Sequence, residues 1–311
     1  MGNKNITEDG YGYRELSITH DKRNLYVATG YGAVIFDVPR AIAGRDDSFV
    51  GVLSSNGHVG RSAIELSITP DDKYVFISQE FGSNSSYNRG AIEVFNVTRL
   101  ANGTVNSEWR GFIALGYAVV GQQFSKDYTK LFVTSEMNST TAAPNSTTGV
   151  LSVLDVDKLK HTPGKSLITK YMSGCRPVRC HLSTDGNKLW VTERDINHAS
   201  VFDAQKLANN DTTDVFMATV NTGTSPIGIA VVGNHILTAD SNRFDYSNAS
   251  TGVTVINSAG ALSKGQSDFP QIPVGDFPRS LAVSPDGNRL LVSEFGEGTV
   301  RVVDISSLNN Y

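Results

Sequence analysis

The segment Leu-Ala-Val-Ser-Pro-Asp-Gly-Asn-Arg-Leu-Leu-Val-Ser at 281–293 decides the fold class, because it has the pattern of a β-hairpin and recurs along the chain. Two apolar arms flank a turn made of Pro, Asp, Gly and Asn. The pattern returns about every 50 residues, which is the spacing of blades in a β-propeller rather than of separate domains. Its copies lie at 15–29, 65–78, 122–134, 180–192, 229–238 and 281–293.

Two further apolar runs follow most hairpins, so each module has enough chain for a four-stranded sheet. Third runs lie at 32–38, 90–97, 149–156, 199–204, 252–257 and 298–305, and fourth runs at 49–53, 111–115, 167–171, 214–220 and 269–274. We therefore expect an all-β chain, a six-bladed β-propeller of four-stranded blades that forms a single domain over 1–311.

The last module ends at Tyr311, soon after its third run, while the stretch containing Asn5-Ile6-Thr7 precedes the first. We expect that N-terminal stretch to be the outer strand of the last blade, which would close the ring without an open edge. A truncated seven-bladed ring is the alternative.

Composition limits the class of partner. The formal net charge is -4 with both signs scattered, and no apolar run approaches membrane-spanning length, so we expect neither a nucleic-acid nor a membrane partner. Asn-x-Ser/Thr sequons are frequent, which favours a glycosylated, secreted protein, although an Asn- and Ser-rich loop protein forms some by chance. The sequons are at Asn5, Asn84, Asn96, Asn102, Asn138, Asn145, Asn210 and Asn248.

Cysteine is rare: only Cys175 and Cys180 occur. Their short separation favours a local disulfide over a metal site, which needs more ligands; two buried thiols are the alternative.

The first strand of a propeller blade lines the central channel, and its side chains alternate between two faces. With the turn Asp as the register mark, the residue three before it is apolar in every copy and is expected in the core. The residues four and six before it are then expected to face the channel. They are Ser17, Ser67, Gln123, His181, Ala230 and Ala282, and Glu15, Glu65, Gly121, Arg179, Gly228 and Ser280.

The ends of the second strands should reach the same mouth as these residues. Glu193, Asp240 and Glu294 end second strands. The long loop after the second strand of blade 2 carries Tyr87, and the long loop after the second strand of blade 5 carries Phe244 and Tyr246. Long loops on a rigid scaffold are common positions for binding sites. We therefore assign these six residues to substrate binding.

Three interpretations of the ionisable channel residues are open. Glu15, Glu65, Arg179 and His181 could form an acid–base and anion-orienting set. Oxygen ligands from Glu15, Glu65, Gln123 and Glu193 could hold a calcium-like ion, although Arg179 opposes a second cation. The same side chains could instead fill the channel in a purely structural role.

The repeat at 281–293, with its echo at 182–192, resembles the YVTN and lactonase-like β-propeller superfamily across nearly the whole chain. The resemblance implies the fold rather than the reaction, because members of that superfamily include lactonases, cyclases and proteins without known catalysis. In size, blade count and secretory character the chain is also similar to secreted fungal propellers, which include hetero-Diels–Alder cyclases of tropolone–sesquiterpenoid biosynthesis.

The second resemblance implies a metal-independent cyclase that joins a quinone methide to an apolar terpene in the central mouth, with no cofactor. Arg179 or Arg279 would stabilise charge on the oxygenated ring, and Glu15 or His181 would transfer a proton, with Glu65 and Gln123 beside them. The alternatives are a metal-dependent lactonase, in which channel carboxylates hold the ion, and a non-catalytic binding propeller.

Overall fold

The computed structural model describes residues 12–55, 62–82, 89–138, 148–263 and 268–310. Over these residues the chain forms six antiparallel sheets, five with four strands and one with three, and the strands within each sheet follow the order of the sequence. This confirms the predicted fold class, a six-bladed β-propeller. The predicted N-terminal strand of the last blade, the sequons at Asn5, Asn84 and Asn145, and Tyr87 lie outside the described residues.

The strands of the first three blades follow the predicted repeat. Blade 1 contains β1 (Leu16–Ile18), β2 (Asn24–Thr29), β3 (Gly32–Asp37) and β4 (Phe49–Ser54). Blade 2 contains β5 (Ala63–Ile68), β6 (Tyr74–Gln79), β7 (Ala91–Arg99) and β8 (Val105–Ala114). Blade 3 contains β9 (Tyr117–Phe124), β10 (Lys130–Met137), β11 (Thr148–Asp155) and β12 (Leu167–Cys175).

The last three blades repeat the same order. Blade 4 contains β13 (Pro177–Leu182), β14 (Lys188–Glu193), β15 (His198–Asp203) and β16 (Phe216–Asn221). Blade 5 contains β17 (Pro226–Val232), β18 (His235–Asp240), β19 (Gly252–Asn257) and β20 (Gln271–Ile272). Blade 6 contains β21 (Pro278–Val283), β22 (Arg289–Glu294) and β23 (Thr299–Asp304). The outer strands differ most from expectation, since β8 begins at Val105 rather than at 111 and β20 has two residues.

The turn between the first two strands is held by one repeated hydrogen-bond pattern. In blade 4, the Ser183 hydroxyl donates to the Asp185 carboxylate at 2.5 Å, and that carboxylate accepts from the Asn187 backbone N–H at 3.0 Å. Ser284 and Asp286 form the same contact at 2.5 Å in blade 6. A short acidic side chain that accepts from the backbone two residues on fixes the turn. The Asp used as the register mark is therefore the residue that shapes the hairpin.

Short helices follow the third strand in four blades and begin at the Asp or Asn that ends it. The helices are α1 (Val38–Ile42), α2 (Val156–His161), α3 (Ala204–Ala208) and α4 (Ser258–Ser263). Asp37, Asp155 and Asp203 each accept a hydrogen bond from the backbone N–H three residues on, at 2.9, 3.0 and 2.9 Å, as N-cap residues do. Short 3-10 turns lie at Asp46–Ser48, Pro163–Lys165, Arg194–Ile196 and Ser306–Asn310.

A β-bulge interrupts the first strand at the same place in several blades. In blade 4, Pro177 pairs with Glu193 and Cys180 with Val191, so two residues lie opposite Thr192. The Thr192 hydroxyl accepts from the Arg179 backbone N–H at 3.0 Å and donates to the Ile227 carbonyl oxygen of blade 5 at 2.9 Å. Ser78 makes the same two contacts in blade 2, with the Glu65 N–H and the Val120 carbonyl oxygen. The Ser or Thr that ends the repeat thus caps a bulge and links two blades.

Apolar side chains from consecutive blades form the cores. One core contains Tyr26, Ile35, Leu66 and Ile77 from blades 1 and 2, and another contains Trp190 and Val201 of blade 4 with Ile236 and Ile256 of blade 5. The chain divides into two compact units, Met1–Ser146 with Ser152–Lys170, and Thr147–Leu151 with Tyr171–Tyr311. A single domain over 1–311 stays a prediction.

The disulfide predicted between Cys175 and Cys180 is not present in the structure, where both residues are free thiols. Cys175 is the last residue of β12 in blade 3, whereas Cys180 lies within β13 of blade 4 and is buried. The short sequence separation therefore spans a change of sheet. A disulfide requires both Cβ atoms to point toward each other, and sequence spacing alone does not report that direction.

Candidate functional site

Burial in two of the first strands, β5 and β13, follows the predicted alternation, whereas two other first strands depart from it. Ile18 of β1, predicted in the core, is 42 % exposed, and in β17 Ala230, predicted to face the channel, is buried while Val231, predicted in the core, is partly exposed. In β13, Cys180 and Leu182 are buried while Arg179 and His181 are partly exposed. In β5, Leu66 and Ile68 are buried while the residues before each of them, Glu65 and Ser67, are partly exposed. The face assigned to the core is thus the better buried one in both strands, and the ionisable residues occupy the other face.

Two predicted carboxylates lie in the first unit. The Glu65 carboxylate accepts a hydrogen bond from the Gln122 backbone N–H of blade 3 at 2.9 Å, while the Gln122 side-chain amide donates to the Glu65 carbonyl oxygen at 3.0 Å. Glu15 lies just before β1, and its carbonyl oxygen accepts from the Ala28 N–H at 2.9 Å. Glu65 therefore joins two first strands, and its charge is available only in part to a ligand.

His181 and Gln123 occupy equivalent places in blades 4 and 3 and make the same local contact. The His181 Nδ1 lies 2.8 Å from the Leu182 carbonyl oxygen, and the Gln123 amide donates to the Phe124 carbonyl oxygen at 2.9 Å. An Nδ1–H donor leaves Nε2 with a lone pair in the neutral ring. Burial lowers the pKa of His181, so the neutral ring, able to accept a proton, predominates at neutral pH.

The three carboxylates at the ends of second strands are buried and hydrogen-bonded within their surroundings. Glu193 and Glu294 accept from the backbone N–H of Gly174 and Gly275 at 3.0 and 2.6 Å. A Cβ added at Gly174 would lie 2.4 Å from a Glu193 carboxylate oxygen, so a larger residue there would displace this carboxylate. Asp240 accepts from the Thr254 hydroxyl at 2.6 Å. Each carboxylate thus has a structural role, and substrate contact by them stays a prediction.

These buried carboxylates differ in charge because their partners differ. Burial raises the pKa of Asp240 to about 6, although hydrogen bonds from Thr254, Thr238 and Gln271 oppose the shift. The Arg301 guanidinium, followed by the Thr299 hydroxyl, lowers the pKa of Glu294 to about 2. An Asp with a pKa near 6 in a buried position is able to exchange a proton near neutral pH.

Arginine and aromatic side chains come together after the second strand of blade 4. The Arg194 guanidinium carbon lies 5.2 Å from the centroid of the Phe244 ring, and that of Arg243 lies 5.9 Å from it. Arg194 is 5 % exposed and Phe244 49 % exposed, so a buried guanidinium group lies beside an aromatic ring that is exposed to solvent. Tyr246 packs edge-on against Phe244 with 6.2 Å between the ring centroids.

A second pairing of the same kind occurs in blade 6. The Arg279 guanidinium carbon lies 5.3 Å from the centroid of the exposed Phe295 ring, which also contacts Phe277 with 5.1 Å between centroids. Cations over ring faces are favourable contacts that hold both groups in place. We call the six residues of the two pairings the arginine–aromatic rim. They are Arg194, Arg243, Phe244, Tyr246, Arg279 and Phe295.

Phe244, Tyr246 and Arg279 were predicted from the sequence, and Arg194 was expected at the same mouth as a residue that ends a second strand, whereas Arg243 and Phe295 were not predicted. Phe295 follows Glu294 directly, as Phe81 follows Glu80. This repeated Glu-Phe pair at the end of a second strand was the signal that could have found it. Arg243 stands beside Phe244 in sequence and gives no separate signal.

The described part of the chain contains no group of three or more His, Cys, Asp or Glu side chains placed to hold a metal ion. The donors expected for a calcium-like ion instead have other contacts: Glu193 accepts from Ser173, Gly174 and Ser200, and Gln123 donates to its own strand. Glu193 and Gln123 are thus already hydrogen-bonded to protein groups. None of the helices in the described ranges has the length and apolar character needed to cross a bilayer.

No protein-family model matches the chain, and no curated protein matches its sequence. Solved structures do. The chain is similar to hydrazine synthase of Kuenenia stuttgartiensis, with 14 % identity, a TM-score of 0.68, and coverage of 94 % of this chain and 83 % of that one. It is also similar to a chain of the mitotic checkpoint complex, with 14 % identity, a TM-score of 0.66, and coverage of 96 % and 76 %.

A third similar structure is a putative 6-phosphogluconolactonase from Bacteroides fragilis, with 12 % identity, a TM-score of 0.63, and coverage of 95 % of this chain and 81 % of that one. Proteins with such different names share this architecture, as expected of a fold on which many sites have been built. At these identities the likeness shows the fold alone, and the six blades are seen in the six sheets of this chain.

Proposed function

We propose that this propeller binds a small planar organic molecule with a polarised carbonyl or phenolate oxygen on the arginine–aromatic rim. We further propose that it acts as a metal-independent cyclase, in a cycloaddition of the hetero-Diels–Alder type between a quinone methide and an apolar terpene. The observation that carries the proposal is the recurrence in two blades of a guanidinium over an exposed ring, Arg194 with Phe244 and Arg279 with Phe295.

The chemistry of the rim suits such a reaction. A guanidinium presents several N–H donors in a plane and stabilises negative charge that develops on an oxygen during cycloaddition. Aromatic faces bind a planar ring and an apolar alkene, and holding the two together in reacting geometry replaces an encounter in solution. The cycloaddition itself forms its bonds without a leaving group, an oxidant or a metal.

His181 is the proposed proton-transfer residue for forming the quinone methide from a hydroxybenzyl alcohol. Its neutral Nε2 accepts the phenolic proton and returns it to the departing hydroxyl group, so that water leaves and the oxidation state is unchanged. Arg179, two residues earlier in β13, and Arg279 are the proposed stabilisers of charge on the oxygenated ring.

A metal-dependent lactonase is the other enzyme class that the resemblance implies. Its carboxylates would have to converge on an ion, and the described residues do not provide such a group. We therefore derive no hydrolytic step from this structure and retain the cyclase as the proposed function.

The direct test is enantiomeric excess. The full chain is incubated with a quinone methide generated from its hydroxybenzyl alcohol and with an apolar sesquiterpene, and the adduct is analysed by chiral chromatography, with and without EDTA. With an achiral sesquiterpene the uncatalysed reaction gives a racemate, whereas we expect a single enantiomer to predominate in both conditions. A racemic adduct would reject the cyclase, and loss of product selectivity in EDTA would instead indicate a metal.

Binding is tested separately with tropolone as a planar oxygenated probe. We expect Arg279→Gln and Arg194→Gln each to weaken tropolone binding by about tenfold in calorimetric titration. Arg110→Gln is the matched control, because Arg110 lies on β8 and pairs with Glu108 at 2.7 Å. Equal affinity in all four proteins would reject the rim as the binding site.

We also propose that the protein is secreted and glycosylated and that its partner is a small molecule. Asn102, Asn138, Asn210 and Asn248 are exposed, which supports the proposal that they carry glycans.

A further inference from the structure

A cleft of about 290 Å³ opens in the second unit beside the outer strands of blades 3 and 4. Its walls come from the end of β12 and from β15 and β16 rather than from the first strand β13. None of the six residues of the arginine–aromatic rim lines this cleft. Its volume is near the lower end of the range of small-molecule sites, about 300 Å³.

A buried carboxylate lies at the floor of this cleft. Glu193 is 2 % exposed and lines the cleft. It accepts from the Ser173 hydroxyl at 3.2 Å, the Gly174 backbone N–H at 3.0 Å and the Ser200 hydroxyl at 2.9 Å. All three donors are neutral groups. Hydrogen bonds reduce the cost of burying this charge, but a cation would offset it more fully.

Aromatic rings form the walls above the carboxylate. Tyr171 packs edge-on against Phe202 with 5.8 Å between centroids, and Phe202 packs edge-on against Phe216 with 5.9 Å. Met172 and Phe216 are exposed at the rim of the cleft. His198 pairs directly with Glu193 across β14 and β15, and its Nε2 lies 2.9 Å from the Asn221 side-chain oxygen, which fixes the imidazole ring.

A carboxylate below aromatic faces is the arrangement that recognises an organic cation. Ring faces carry negative charge density and attract an ammonium group, whereas they give no such advantage to a neutral isostere. An anionic ligand would be repelled by Glu193.

We propose that this cleft binds a small organic ammonium ion, with the ammonium group at the Glu193 carboxylate and the apolar part against Tyr171, Phe202 and Phe216. The site differs in both position and ligand charge from the one proposed for the oxygenated ring. Its occupancy therefore does not depend on cyclase activity.

The experiment compares phenethylammonium with 2-phenylethanol, a neutral molecule of nearly the same shape, by calorimetric titration of the full chain. We expect phenethylammonium to bind at least about tenfold more tightly, as a partly desolvated cation–π contact and a carboxylate together predict. Glu193→Gln should remove that preference while leaving the weak affinity for the alcohol.

Phe216→Ala tests the aromatic wall without disturbing the buried charge. Phe216 is 50 % exposed and pairs with Phe202, and blade 1 offers a close match in Phe49, which is 45 % exposed and pairs with Phe36 in the same register. We expect Phe216→Ala to weaken phenethylammonium binding by about fivefold and Phe49→Ala to leave it unchanged. If Glu193→Gln does not fold, Phe216→Ala and Phe49→Ala still test whether phenethylammonium binds in this cleft.

Three results would overturn the proposal. The first is equal affinity for phenethylammonium and 2-phenylethanol, which would mean that charge is not recognised. The second is an equal effect of Phe49→Ala and Phe216→Ala, which would mean that binding is not in this cleft. The third is the absence of saturable phenethylammonium binding.

Discussion

Thr192 and Ile227 join two blades through one hydrogen bond, in which the Thr192 hydroxyl donates to the Ile227 carbonyl oxygen at 2.9 Å. The same hydroxyl accepts from the Arg179 N–H at 3.0 Å. Position 179 is one of the predicted site residues, so the hydroxyl that ends the second strand also fixes the backbone from which that side chain projects. The repeat thereby couples blade packing to the geometry of the candidate site.

Replacing Thr192 by Val should lower the free energy of unfolding by about 2 kcal/mol, because the Arg179 N–H and the Ile227 carbonyl lose their shared partner in a buried place. Urea unfolding followed by fluorescence measures the effect. Thr192→Ser keeps the hydroxyl and should lose less than half as much. Equal stability of Thr192→Val and the wild-type protein would contradict the role given to this hydrogen bond.

Glu93 should make the protein less stable as the pH rises through neutrality. It is fully buried in β7, and burial raises its pKa from 4.5 to about 7. The pKa of Glu93 is higher in the folded protein than in the unfolded chain, so the protonated carboxyl group stabilises the folded state. This contribution to the free energy of unfolding is fully present below pH 4.5 and is lost as the pH rises through 7. The loss amounts to about 3 kcal/mol.

Glu93→Gln should therefore raise the urea midpoint at pH 8 and have little effect at pH 4. Gln keeps an acceptor for the Gln79 side-chain amide, which now donates to the Glu93 carboxylate. Glu108→Gln, at an exposed place on the neighbouring strand β8, is the control and should change neither midpoint. A variant with the same pH dependence as the wild type would show that Glu93 does not titrate in this range.

Glu294 should have the opposite dependence. Arg301 lowers its pKa from 4.5 to about 2, so the stability that this pair contributes is present above pH 4.5 and is lost as the pH falls toward 2. We expect Arg301→Gln to lower the urea midpoint at pH 7 and to lower it much less at pH 2.5. Arg289→Gln, at the start of β22, is the comparison. Equal shifts of the Arg301→Gln midpoint at both pH values would rule out this charge linkage.

Glycan occupancy should follow exposure. Asn102, Asn138, Asn210 and Asn248 are exposed, whereas Asn96 lies half-buried within β7 and its amide donates to the Lys73 carbonyl oxygen at 3.2 Å. In protein secreted from a eukaryotic host, we expect glycopeptide mass spectrometry to find glycans at the four exposed sites and none at Asn96. Unmodified asparagine at all four would argue against the secretory assignment.

The parts of the fold that depend on local sequence were predictable. The Ser/Thr-x-Asp turn is made by hydrogen bonds within five residues, so the Asp register mark located the hairpins and the alternation that separates Arg179 and His181 from Cys180 and Leu182. The Asp and Asn residues at the ends of third strands were visible in the sequence, but their use as helix caps was not, because the helices after them have only five or six residues.

The candidate site was predictable only in part. Phe244, Tyr246 and Arg279 stand out as rim residues, yet their partners Arg194 and Phe295 come from other loops or strand ends. Glu193 lines a cleft beside the outer strands, which the sequence did not indicate, and its predicted contact with substrate stays a prediction. A strand period specifies the face on which a side chain lies, but not the neighbour that covers that face.

The amino-acid sequence by itself determined the six-fold repeat, the hairpin turns and, in β5 and β13, the division of the first strand into a core face and a polar face, since all of these arise from contacts between residues close along the chain. Tertiary structure alone decided that Glu193, Asp240 and Glu294 are buried, that Cys175 and Cys180 lie in different sheets, and that arginines cover exposed rings. The reason is that burial, charge state and pairing depend on which strand packs alongside, and that neighbour is distant in sequence.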